Sequence, residues 1–147
     1  MAKYVFKIRW EKLPDGNESY TWQFDNGVVL KADRSGAMVP GLMEPESAFV
    51  AALASCHMLS FMAVAAKRGI NVQRYLDTAT GVLEKNRNGK IAVTRVLLQP
   101  QVELDDAHAD AALVHEMHDE AHNKCFIANS ITSQVLIEPV LLPASVH

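Results

Sequence analysis

The stretch AALASCHMLSFMAVAAKRG, residues 51–69, is apolar on nearly every side of a helical projection, yet it carries Cys56 and His57 at its centre. Upstream, Pro45 suits the first turn of a helix, and Glu46 complements the positive end of the helix dipole. Downstream, Gly69 suits the left-handed residue that closes a helix. The segment therefore predicts one helix from Pro45 to Arg68, roughly 35 Å long at 1.5 Å per residue. A helix that is apolar all round belongs inside protein. One small chain cannot easily enclose it, so a second copy is expected against it.

The flanking sequence reads as sheet. KYVFKIRWEK alternates with period two, which predicts a half-buried strand. Asp15-Gly16 and Asn26-Gly27 are turn pairs, so the opening third reads as an antiparallel meander. RSGAMVPGLMEP holds Gly36, Pro40 and Gly41 and reads as a loop. QRYLDTATGVLEKNRNGKIAVTRVLLQPQVEL reads as a second hairpin turning at Asn88-Gly89. DDAHADAALVHEMHDEAHNKC reads as a second helix capped by Asp105 or Asp106, and ITSQVLIEPVLL as a closing strand. The predicted order β-β-β-α-β-β-α-β places the chain in the α+β class, as one domain over residues 1–147.

Composition narrows the function classes. The 147 residues are 49% apolar and 21% charged, with a formal charge of −3, ordinary values for a globular domain. Neither charge nor patterning suggests a nucleic-acid partner or an anionic membrane. The N-terminus has no signal-peptide core, and no unbroken apolar run reaches the ~18 residues of a membrane span. A cytoplasmic location is expected. Two cysteines make no disulfide framework; in a reducing compartment such a pair is redox-active, catalytic or metal-binding, or else inert and buried.

Chemistry requires Cys56 as a thiolate, and apolar burial opposes ionisation. Mid-helix, Cys56 has no free helix N-terminus to support its charge, so a cation must be brought to it. His57 points about 100° away and is a poor partner; its plain reading is a hydrogen-bonded histidine at a helix interface. Glu46 lies roughly 15 Å along the axis from Cys56. It could hold Arg34 in place, from the same helix or from a second chain. In VHEMHDEAHNKC, His115, His118, His122 and Cys125 follow at steps of three, four and three, one face of a helix. Imidazole and thiolate are zinc ligands. The stripe therefore reads either as a metal site using His118, His122 and Cys125 or as a polar helix face.

Taken together, EPESAFVAALASCHM resembles the (Asn/Asp)-Pro-Glu segment of the OsmC/Ohr proteins (osmotically inducible protein C-like and organic hydroperoxide resistance proteins), whose first cysteine comes ten residues after the glutamate, as Cys56 does after Glu46. Cys125 sits where that family carries its second cysteine, and AVTRVLLQPQVEL resembles the strand between them. The resemblance spans nearly the whole chain. It implies antiparallel sheets wrapped around long central helices in an intertwined homodimer. It implies a stress-response thiol peroxidase that reduces organic hydroperoxides without a bound cofactor. By position, Cys56 would be the peroxidatic cysteine, Cys125 the resolving one, Glu46 the carboxylate that orients an arginine, and Arg34 that arginine. An external dithiol, including a lipoylated protein, would be the reductant. The His-rich helix and the proline-free CFIANS segment lie outside the family pattern. They keep open a non-catalytic, metal- or ligand-binding dimer.

Overall fold

The structure is a computed structural model and describes residues 1–105 and 110–143. Its backbone groups into two compact units, residues 1–48 and 49–147. The first unit is the expected meander. β1 (Phe6–Lys12), β2 (Glu18–Phe24) and β3 (Val29–Lys31) pair antiparallel in that order. Phe6 lies opposite Phe24, Ile8 opposite Trp22 and Trp10 opposite Tyr20, so period-two alternation puts the aromatics on one face. On that face Trp22 is buried and Tyr20 partly buried, but β1 itself is not half-buried as the alternation predicts: Ile8 is 60% exposed, and Phe6 and Trp10 are exposed with it.

In the second unit the predicted hairpin resolves into four strands. These are β4 (Val72–Leu76), β5 (Thr80–Lys85), β6 (Ile91–Leu98) and β7 (Gln101–Leu104). Only β5 and β6 form the hairpin at Asn88-Gly89; β4 pairs with β7 instead. The closing strand is also two strands, β8 (Gln134–Ile137) and β9 (Val140–Leu141), broken at Pro139. β8 runs parallel to β6, and β9 parallel to β7. The sheets are therefore mixed rather than purely antiparallel, because helix α2 (Ala111–Lys124) carries the chain back before it pairs again. The class is α+β, as expected.

Helix α1 spans Pro45–Lys67. Its end is the predicted one: Gly69 has φ +68°, its N–H donates to the Ala66 carbonyl, and Ile70 N–H donates to Ala65 at 2.9 Å. Further along the chain, the cap of α2 differs from expectation. Asp105 follows the end of β7, its N–H donating to the Asn71 carbonyl, and Asp106 lies outside the described residues. Asp110 caps instead, accepting from Ala112 N–H at 2.9 Å, immediately before an uninterrupted helix-forming run.

Two apolar clusters seat α1. Leu53 packs with Val96, Leu98 and Cys125; Phe61, Val64 and Ala65 pack with Val102, Leu104, Val114, Met117 and Ala121. Gly81 of β5 is pressed against the helix, since a Cβ there would meet Val50 Cγ2 at 2.6 Å. Gly81→Ala is expected to destabilise by about 1–3 kcal/mol in urea unfolding, with Val50→Ala relieving much of it. The opposite face of α1 is uncovered by its own chain: Ala52, Ser55, Leu59, Ala63 and Ala66 are exposed, Leu59 at 63%. Averaged over a window, with mean hydropathy 1.9, α1 is long and apolar enough to cross a membrane. This corrects the expectation built on unbroken apolar runs, which Ser55, His57 and Ser60 had interrupted.

Candidate functional site

Cys56 sits in the middle of α1, half-buried, and Cys125 is the fully buried residue that ends α2. Both are free thiols in the same apolar cluster. Their side chains pack in that cluster near enough for each thiol to influence the other's ionisation. Cys125 reaches this position because α2 stops at Lys124, after which Cys125 turns to extended backbone and its N–H closes on the His122 carbonyl at 3.3 Å. A one-turn segment follows (Ala128–Ser130) and aims the amides after Cys125 back at the sulfurs. Ala128 N–H donates to Cys125 Sγ at 3.4 Å.

The two thiols are electrostatically unequal. Burial pushes Cys56 up, but the backbone N–H groups of Ile127 and Phe126, the Cys125 thiol and the Ser60 hydroxyl outweigh it. Cys56 is held below the ordinary thiol range. Cys125 is pushed up to about 11, first by burial and then by its role as donor to Cys56 and by the charge there. The arrangement stabilises one negative charge, on Cys56, with Cys125 as the neutral donor. Such an arrangement is chemically able to present a nucleophile beside a second thiol.

Among the described residues of the single chain, the groups that favour the Cys56 thiolate are amide, thiol and hydroxyl donors. Arg34 is bound by Glu18, its Nε donating at 3.0 Å, and its guanidinium lies 5.5 Å over the Trp10 ring. Glu46 stands exposed in the first turn of α1 and is not the carboxylate that holds Arg34. Sequence reasoning missed Ser60, although its i+4 spacing from Cys56 was legible. It also missed the Phe126 and Ile127 amides, which no side-chain pattern announces.

His57 is the interface histidine of its plain reading. Its Nε2 lies 2.9 Å from His118 Nδ1 across the helices, and both rings are buried. The four-residue stripe does not assemble. His115 is exposed, His118 is committed to His57, and Cys125 lies beyond the helix end. Among the described residues no three His, Cys, Asp or Glu side chains are placed to hold a metal ion, so the His118, His122 and Cys125 metal set is not supported.

Comparison with known proteins agrees with this fold. A family model described as OsmC-like protein matches residues 40–139. An OsmC-like protein of unknown function from Vibrio cholerae is 38% identical, with a TM-score of 0.84 over 95% of this chain and 100% of that one. An organic hydroperoxide resistance protein from Elizabethkingia anophelis is 14% identical, with a TM-score of 0.74 over 96% of each chain. The organic hydroperoxide resistance protein OhrB of Bacillus subtilis is 18% identical, with a TM-score of 0.65 over 96% of this chain and 98% of that one. At those two identities the likeness is one of fold. A search of curated protein sequences gives no match.

Proposed function

The chain belongs to the OsmC-like family, and on that footing we propose that it is a cysteine-based peroxidase acting on organic hydroperoxides. The observation that carries this reading is the unequal thiol pair, Cys56 favoured as thiolate and Cys125 kept as thiol beside it. Cys56 attacks the distal peroxide oxygen; the O–O bond breaks, the alcohol leaves and Cys56 becomes a sulfenic acid. Cys125 sulfur then attacks that sulfur. The S–S bond forms, the S–O bond breaks and water leaves with the Cys125 proton. An external dithiol reopens the disulfide by exchange. The apolar setting favours an alkyl or lipid peroxide over hydrogen peroxide.

A second copy is the proposed cover for the exposed faces of α1 and of the first-unit sheet. Light scattering is then expected to give about twice the 16.2 kDa chain mass. In the same proposal Arg34 is the cation, with Glu46 its orienting carboxylate. The exposed Arg34–Glu18 pair is worth only about 0–1 kcal/mol, so exchange of partner is cheap. Arg34→Ala should then move the pH midpoint of thiolate formation at Cys56 upward; an unmoved midpoint removes Arg34 from the site.

The peroxidase reading is tested by mass spectrometry after one equivalent of cumene hydroperoxide. A loss of two hydrogens with a Cys56–Cys125 crosslink is expected. Unmodified cysteines would sink the proposal.

A further inference from the structure

The redox pair leaves the buried histidines without a role. His57 and His118 are each 1% exposed, their rings only 10° from parallel, with Nε2 of the first 2.9 Å from Nδ1 of the second. His118 also stacks on Phe61, centroid to centroid at 4.3 Å. Packing alone does not account for them. Their bond satisfies one nitrogen on each ring, while His57 Nδ1 and His118 Nε2 are buried without a partner among the described residues. In either neutral tautomer one of those two nitrogens carries an unsatisfied N–H. An apolar pair of similar volume would avoid that cost. What a polar pair supplies, and an apolar one does not, is a directional bond compatible with one helix register.

Register matters here because His57 directly follows Cys56, and His118 lies seven residues, two helical turns, before Cys125. A slip of one residue along a helix axis is about 1.5 Å. Closing two sulfurs from contact to a bond of about 2.05 Å requires a movement of similar size. A slip of that size therefore decides whether the disulfide can form.

The geometry points to the His57–His118 hydrogen bond as the positioning element that sets α1 against α2 and thereby governs how fast Cys56 and Cys125 join. This rests on the redox reading above. Neither histidine touches substrate. The governed step is attack of Cys125 sulfur on the Cys56 sulfenic sulfur, forming S–S, breaking S–O and releasing water.

The test uses the full chain and variants that differ in reach. Gln in place of His57 puts a polar atom near the Nε2 position; Asn is polar too but too short. His118→Leu removes the bond and keeps apolar volume. After rapid mixing with cumene hydroperoxide, dimedone trapping reports sulfenic acid, and gel shift reports disulfide. Closure should slow by about tenfold or more in His57→Asn and His118→Leu, with sulfenic acid accumulating, and return to within about threefold of wild type in His57→Gln. Sulfenic acid formation should stay near the wild-type rate in all three. A purely structural role would not separate the two polar variants at position 57, and that pair keeps the test alive if His118→Leu does not fold. A second arm uses oxidised dithiothreitol, which takes two electrons and two protons from the cysteines without any peroxide. If wild type ignores the hydroperoxide but the variants still rank in this order with oxidised dithiothreitol, the peroxidase reading fails and the positioning role stands. Equal closure rates in His57→Asn, His57→Gln and wild type overturn it.

Discussion

Cys56→Ser is expected to abolish dithiol-dependent consumption of cumene hydroperoxide, a loss of roughly 10³-fold or more, the scale on which deleting a nucleophile acts. Serine's hydroxyl is not ionised at neutral pH, so the amides of Phe126 and Ile127 would have no thiolate to stabilise. Cys125→Ser should behave differently. Its first turnover proceeds and leaves a sulfenic acid on Cys56 that dimedone captures, because only the closing partner is gone. The pH dependence follows from the same donors. With the Cys56 thiol held below its ordinary range, the first-step rate rises with pH and levels off below the value for a free cysteine. Thiolate ultraviolet absorbance should trace the same curve and vanish in Cys56→Ser. If Cys125→Ser were as dead in the first step as Cys56→Ser, the assignment of roles would be wrong.

Acid should destabilise this protein by about 2–3 kcal/mol between pH 6.5 and pH 4. Burial, and then the charge of His122, lowers His57 to about 4 from an ordinary 6.5. Burial, and then His57 and His115, lowers His118 to about 3. Between those values the unfolded imidazoles hold protons that the folded pair refuses, so stability falls as pH falls. The contribution is fully present above pH 6.5. Because the two rings interact, the figure counts the proton of His57 alone. Urea unfolding at pH 7.5, 5 and 4 measures the slope, and His118→Leu should flatten it by removing one of the buried bases. An unchanged slope in that variant would take His118 out of the acid response.

Much of the architecture was legible because it is local. Period-two alternation located β1, the Asp-Gly and Asn-Gly pairs located turns, and Pro45 and Gly69 bracketed α1 to within a residue. Cys56 and Cys125 were singled out by their residue type and family spacing, 69 positions apart. What failed were inferences about partners. The long hairpin divided because β4 found β7, and the last strand divided at Pro139, both settled by pairings distant in sequence. The histidine stripe dissolved because a shared helix face does not make ligands converge, and His118 found His57 sixty-one residues away.

By itself the sequence determined the α+β class, the central apolar helix and the two cysteines that share one apolar cluster, since residue chemistry and short-range periodicity are carried along the chain. Only the tertiary structure decided that the Phe126 and Ile127 amides face the Cys56 thiol, that Arg34 binds Glu18, and that His57 and His118 share a hydrogen bond. The physical reason is that a thiolate's stability depends on which donors converge on it in space. Backbone N–H groups are present at nearly every residue, so their convergence on Cys56 leaves no mark in the sequence.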